Sequence, residues 1–164
     1  MGEPDGGEPC RCGKTREGSE MKVAQLMHTP AVVCRPTATI REVANLMETR
    51  NVGSVVVVDN IGYVTGIVTD RDLALKGAGV GHSPDVAVES LMTRDVACVT
   101  PGSDVSEAAV VMQKRAVRRV PVVDDLGKIH GVVAFDDLFR NLSHEADGLT
   151  DAVLAQSLHF HPAR

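Results

Sequence analysis

Along residues 31 to 75 the hydrophobic pattern changes period several times, and each change predicts an element. Ala31-Val32-Val33-Cys34 is a short continuous apolar run stopped by Pro36, as expected of a brief strand. Thr39-Ile40-Arg41-Glu42 reads as a capping box, in which a hydroxyl and a Glu three residues on satisfy helix-end amides reciprocally. Ile40, Val43, Ala44 and Met47 then fall on one face at helical spacing. After Asn51 the run Val55-Val56-Val57-Val58, a loop at Asp59-Asn60-Ile61-Gly62 and a second run from Tyr63 to Val68 predict a hairpin of two largely buried strands. It ends at Gly66-Ile67-Val68-Thr69-Asp70-Arg71-Asp72-Leu73, where the strand delivers a hydroxyl and the next residues open a helix carrying an acid.

The pattern then returns. A constant shift of 65 superposes Val23–Ala74 on Val88–Phe139 without a gap, with 18 of 52 positions identical. The identities mix core, turn and cap positions: Leu26/Leu91, Pro36/Pro101, Glu42/Glu107, Met47/Met112, Asp59/Asp124 and Gly62/Gly127. Val105, Ala108, Ala109 and Met112, behind Asp104 and Glu107, repeat the first helix face, and Gly131-Val132-Val133-Ala134-Phe135-Asp136-Asp137-Leu138 repeats the strand-to-helix segment with Ala134 in place of Thr69. A period this long is a duplicated small domain. Each copy reads strand, helix, strand, strand, helix, an α/β (α+β) unit too small to bury a comfortable core alone, so the two are expected to pack with pseudo-twofold symmetry.

Composition narrows the function. Aromatics make up only 2% of the chain against 43% apolar residues, so the core is built from Val, Leu, Ala and Met, and no aromatic platform exists for single-stranded nucleic acid. A formal charge of -5 argues further against a nucleic-acid partner. There is no apolar span of membrane length and no signal-peptide pattern, and the four cysteines lack paired zinc-type spacing; a cytoplasmic protein with no membrane contact and no metal is expected.

The organisation expected is a disordered tail over 1–20, a first unit over 21–76, a glycine-rich linker over 77–85, a second unit over 86–143 and an extension over 144–164. Cys10 and Cys12 lie in the tail without further metal ligands nearby, and Leu149, Val153, Leu154 and Leu158 give the extension a helical apolar face. The linker glycines follow a helix and do not match a dinucleotide-binding loop.

The tandem units, each with a Gly-h-h-Thr/Ser-x-x-Asp segment at the last strand-to-helix turn, resemble the paired CBS domains named after cystathionine beta-synthase. Thr69-Asp70-Arg71-Asp72-Leu73-Ala74-Leu75-Lys76-Gly77 and Val117-Arg118-Arg119-Val120-Pro121-Val122 are similar in wording to small stand-alone bacterial two-CBS proteins, including the hypoxic response type. The resemblance implies a non-catalytic regulatory module that binds an adenosyl small molecule between the units, dimerises, and signals in trans to an unknown protein effector. AMP, ADP or ATP is the ligand expected, with no cofactor required. It also implies a site lined by Val68, Thr69, Asp72, Val96, Ala97, Arg118, Arg119 and Pro121, and a weaker second site at Val32, Ser54, Val133 and Asp137.

The residues make a case of their own. Thr69 at a helix start brings a hydroxyl, free amides and the positive end of the helix dipole to one spot, which suits phosphate. Asp72 offers a carboxylate to two ribose hydroxyls. Arg118 and Arg119 would face this spot under pseudo-twofold packing, and arginine forks bind phosphate well. The same Thr69-x-x-Asp72 pattern also caps helices where no ligand binds, and the arginines could equally make surface ion pairs. In the second site Ala134 removes the hydroxyl, and Gly53 and Ser54 stand where the arginines would be. A structural or partner-docking dimer with decayed nucleotide sites is the competing reading. No nucleophile with its base, H-E-x-x-H helix or phosphate loop supports an enzyme.

Overall fold

The computed structural model describes residues 21–145. The tail with Cys10 and Cys12, and Leu149, Val153, Leu154 and Leu158 of the extension, lie outside the described residues.

The first unit contains β1 (Val33–Cys34), α1 (Ile40–Arg50), β2 (Ser54–Val58), β3 (Val64–Thr69) and α2 (Asp70–Asp72). The last of these widens into a π-helical turn over Leu73–Gly77 and a 3-10 turn over Ala78–Val80. The second unit contains α3 (Val105–Arg115), β4 (Arg119–Val123), β5 (Ile129–Ala134) and α4 (Phe135–Glu145). In the first unit β2 lies centrally, parallel to β1 and antiparallel to β3. In the second, β4 and β5 form an antiparallel pair.

The expected strand before α3 is reduced to a single parallel bridge, Val99 to Val122. Proline accounts for it. In the first unit the Val56 amide donates to the Val32 carbonyl at 3.0 Å. Pro121 occupies the corresponding place in β4 and has no N–H to give, so the ladder shortens.

Local chemistry explains the repeated polar residues. Thr39 Oγ1 accepts from the Glu42 amide at 3.2 Å while Glu42 accepts from the Thr39 amide at 2.8 Å, starting α1. In each hairpin one aspartate carboxylate gathers two loop amides: Asp59 takes Ile61 and Tyr63, and Asp124 takes Leu126 and Lys128. Gly62 and Gly127 adopt φ of 96° and 82° at these turns, where a side chain would be strained.

Packing crosses the sequence boundary between the units. Val23, at the start of the described chain, is fully buried in the core of the second unit with Val105, Met112, Val120, Val122, Val133 and Leu138. Val88, its repeat partner, is buried in the first unit's core with Val43, Met47, Val55, Val57 and Val68. Each fully buried valine contributes about 1.5–3 kcal/mol, so the exchanged segments bind the units firmly. The backbone follows suit: His28 pairs with Val132 of β5, and Thr93 pairs with Ile67 of β3. These contacts interconvert under the shift of 65, as do Lys22–Asp104 and Thr39–Ala87, while Tyr63–Lys128 maps onto itself. That is the expected pseudo-twofold. Residues 21–28, the start of the first unit in sequence, thus pack on the second.

The exchange also explains the glycines that open the repeated segment. A Cβ on Gly131 would lie 2.7 Å from the His28 carbonyl oxygen, and one on Gly66 would meet Met92 Sδ at 2.5 Å and the Thr93 carbonyl at 3.1 Å. Only glycine lets the exchanged backbone run this close.

Candidate functional site

Because Thr93 pairs with β3 and Val99 with β4, residues 94–98 form a strap from the first unit's sheet edge to the second unit's sheet. Val96 and Ala97, half-buried, lie on that strap. The end of β3 brings Thr69, after fully buried Val68, to the start of α2, and in the other unit Arg119 opens β4 with Pro121 buried two residues on.

At the β3–α2 turn the polar groups form a closed set. Thr69 Oγ1 accepts from the Asp72 amide at 3.1 Å and donates to Asp72 Oδ2 at 2.7 Å, and the Thr69 amide donates to the same oxygen at 3.0 Å. Asp72 Oδ1 pairs with Lys76 Nζ at 2.7 Å. Partial burial pushes the Asp72 carboxyl pKa up, but hydrogen bonds from Lys76 and Thr69 and the lysine charge outweigh it and hold the pKa below the ordinary carboxylate value. Asp72 is therefore an anion held in place.

The expectation of free amides at this helix start is not met. The Asp70 amide donates to the Gly53 carbonyl at 3.2 Å, the Arg71 amide to Asp70 Oδ1 at 2.7 Å and the Asp72 amide to Thr69. A capping box consumes the donors that a phosphate would otherwise use. A ligand must exchange them, and the exposed Arg71–Asp70 contact is the easiest to exchange.

The two arginines part company. Arg119 crosses between units, its Nη1 reaching the Gly53 carbonyl at 3.4 Å. A Cβ on Gly53 would sit 3.0 Å from both Arg119 Nη2 and Asp70 Oδ2, so the guanidinium lies beside the β3–α2 turn. Arg118 instead pairs with Asp136 of its own unit at 2.9 Å, three-quarters exposed, and is not brought to Asp72. The reason is strand alternation, since adjacent residues at a strand start point to opposite sides.

The pseudo-symmetric position is built differently. Val133 is fully buried in β5, Ser54 is nearly so, and Val32 lies beside β2. Asp137 accepts from the Ala134 amide at 3.3 Å but gains no hydroxyl there, and His28 Nε2 stands 3.1 Å from Asp137 Oδ2. Sequence reasoning misses Lys76 and His28 alike. The i,i+4 spacing of Asp72 and Lys76 is a legible signal. His28 carries none, because it reaches Asp137 only through the exchange.

A separate concavity of about 430 Å³ lies along α3, lined by Cys98, Ser103, Glu107, Val110 and Lys114 among others, away from the Asp72 turn. Burial pushes the Cys34 thiol up to about 11, so it stays protonated at neutral pH. Among the described residues no group of three or more His, Cys, Asp or Glu side chains could hold a metal ion, and no helix is long and apolar enough to cross a membrane.

Comparison with known proteins agrees with this architecture. The CBS domain-containing protein YhcV of Bacillus subtilis is 34% identical over 127 residues, covering 77% of this chain and 89% of its own. The CBS domain pair of protein MJ0100, solved with 5-methylthioadenosine and S-adenosyl-L-methionine, superposes with a TM-score of 0.71 at 27% identity, covering 77% of this chain and 98% of its own. Hypoxic Response Protein I, solved with two coordinated zinc ions, shares the fold with a TM-score of 0.67 at 24% identity, covering 73% of this chain and 98% of its own. The CBS-domain family model matches twice, over residues 23–78 and 88–144, and the chain belongs to the CBS-domain family as a tandem pair.

Proposed function

We propose that this chain is a regulatory module that binds an adenine nucleotide between its units, at the Asp72 turn, and acts in trans on a protein effector. One observation carries the reading: a hydroxyl, a fixed carboxylate and a guanidinium from the other unit converge on the β3–α2 turn. Asp72 anchors ribose while the Thr69 hydroxyl holds its carboxylate, Arg119 meets phosphate, and the strap at Val96 and Ala97 offers backbone groups to the base. The adenosyl ligands of the MJ0100 pair support the ligand class. Arg119 favours a phosphorylated member, AMP, ADP or ATP.

The module is non-catalytic and homodimeric in this proposal, with no cofactor required. Regulation then follows from a ligand that binds one shape of the dimer more tightly than another. Calorimetry against AMP, ADP, ATP, S-adenosylmethionine and adenosine tests the ligand, with light scattering on the same samples for the dimer. The expected result is one tight phosphorylated ligand per chain. Two equal sites per chain, or preference for adenosine, would show that the cleft is wrongly assigned.

A further inference from the structure

We propose that Lys76 is a specificity-determining residue of the Asp72 site, where Asp72 and Lys76 read two neighbouring ribose hydroxyls as one donor and one acceptor. This inference rests on the nucleotide reading and adds to it which groups recognise the sugar.

The hydrogen-bonding capacity of the site sets these roles. An ionised carboxylate has about four acceptor directions, two per oxygen. Asp72 Oδ2 fills both of its own with the Thr69 amide and hydroxyl, at 3.0 and 2.7 Å. Oδ1 gives one to Lys76 at 2.7 Å. One direction remains, on Oδ1. Two hydroxyls cannot both donate to this carboxylate while the cap and the ion pair persist, so one hydroxyl donates to Oδ1 and its neighbour needs a different partner.

Lys76 supplies it. The ammonium has three donors, one on Asp72 and a second on the Leu91 carbonyl at 3.2 Å. Leu91 belongs to the exchanged segment that leads into the strap, so Nζ is held between Asp72 and that segment. The side chain is half exposed, leaving the third N–H open to an incoming oxygen. A cis-diol presents the complement: one O–H to Oδ1 and one lone pair to Nζ. The second unit has Asn141 in the equivalent position, so this reader belongs to the first unit alone.

The test is calorimetry with AMP, 2′-deoxy-AMP and 3′-deoxy-AMP on the wild type, Lys76→Arg and Lys76→Met, with thermal melts to confirm folding. Wild type should lose about tenfold for either missing hydroxyl. Lys76→Met should bind AMP about tenfold more weakly, and the penalty for one of the two missing hydroxyls should shrink while the other persists, the direction freed on Oδ1 restoring a partner only in part. Lys76→Arg, which keeps a charged donor, should preserve both penalties. A general loss of positive field would weaken all three ligands alike and leave both penalties intact. That pattern, or unchanged AMP affinity in Lys76→Met, overturns the inference while the nucleotide reading stands. Failure of the wild type to bind AMP overturns both.

Discussion

The two copies hold the same aspartate with different partners, and the difference separates what the fold requires from what a ligand would require. In both, the carboxylate accepts from a backbone amide at the helix start, Thr69 to Asp72 and Ala134 to Asp137. That contact is the cap, and it survives duplication because each helix needs it. The rest diverges. Asp72 has the Thr69 hydroxyl and, on its own helical segment, Lys76, whereas Asp137 has Ala134 where that hydroxyl would be and meets His28 from the exchanged segment. Arg119 reaches across to the first turn, and Gly53 and Ser54, its counterparts' positions, send nothing comparable back. Groups kept in both copies belong to the fold, and groups found in one mark the site.

The sharpest way to break this comparison is to remove the two acids separately. Asp72→Ala should weaken AMP binding at least a hundredfold, because ribose loses a charged acceptor and Thr69 and Lys76 lose the partner that orders them. Asp137→Ala should leave tight AMP binding unchanged. Both variants lose a cap and should be destabilised by about 1 kcal/mol, so melting curves separate folding from binding. Equal losses in calorimetry would end the claim that the sites differ.

A second comparison concerns the crossings that bring the exchanged segments over each sheet. Gly131→Ala places a methyl 2.7 Å from the His28 carbonyl, a backbone atom that cannot move alone, and should cost about 1–3 kcal/mol in urea unfolding. Gly66→Ala meets first the flexible Met92 side chain, with the Thr93 carbonyl at 3.1 Å, and should cost less. The reverse order would mean that the second crossing is the looser one.

Much of this was legible in the sequence. The gapless repeat, the capping boxes, the hairpins and the Asp59 and Asp124 loops each announce themselves through local spacing, because caps and turns are satisfied within a few residues. The turn carrying Thr69 and Asp72 was legible for the same reason. What could not be read depends on long-range placement. The burial of Val23 in the other unit, the arrival of His28 at Asp137 and the divergence of Arg118 from Arg119 follow from chain crossing and strand facing, which the one-dimensional pattern does not encode. Pro121 is intermediate: its missing N–H was visible, but the carbonyl it leaves without that donor was not.

Arg118 and Arg119 give a third, smaller contrast. Arg119→Ala should weaken AMP about tenfold and adenosine little, since the guanidinium addresses phosphate. Arg118→Ala removes an exposed ion pair with Asp136 and should change AMP affinity and stability only slightly. If Arg118→Ala proved the costlier variant for AMP in calorimetry, the arginine would have to leave Asp136 on binding, and the assignment of roles would be reversed.

The smallest effect expected is on the pH dependence of stability. The folded Asp72 carboxyl has a depressed pKa: burial raises it, but the Lys76 and Thr69 hydrogen bonds lower it more. In the unfolded chain the carboxyl returns to about 3.9. Between its folded value and that figure the unfolded state binds more protons, so stability rises with pH. The contribution is fully present above the unfolded pKa and is lost as pH falls through the folded one. Asp72→Asn keeps an acceptor for the Thr69 amide but cannot titrate. The stability gap between wild type and Asp72→Asn, followed by urea unfolding from about pH 6 down to about pH 3, should therefore be widest at the upper end and close as the carboxyl protonates. A gap that stays constant across this range would mean that the lysine and the cap do not hold Asp72 as an anion, and the inventory of acceptors at the site would have to be redrawn.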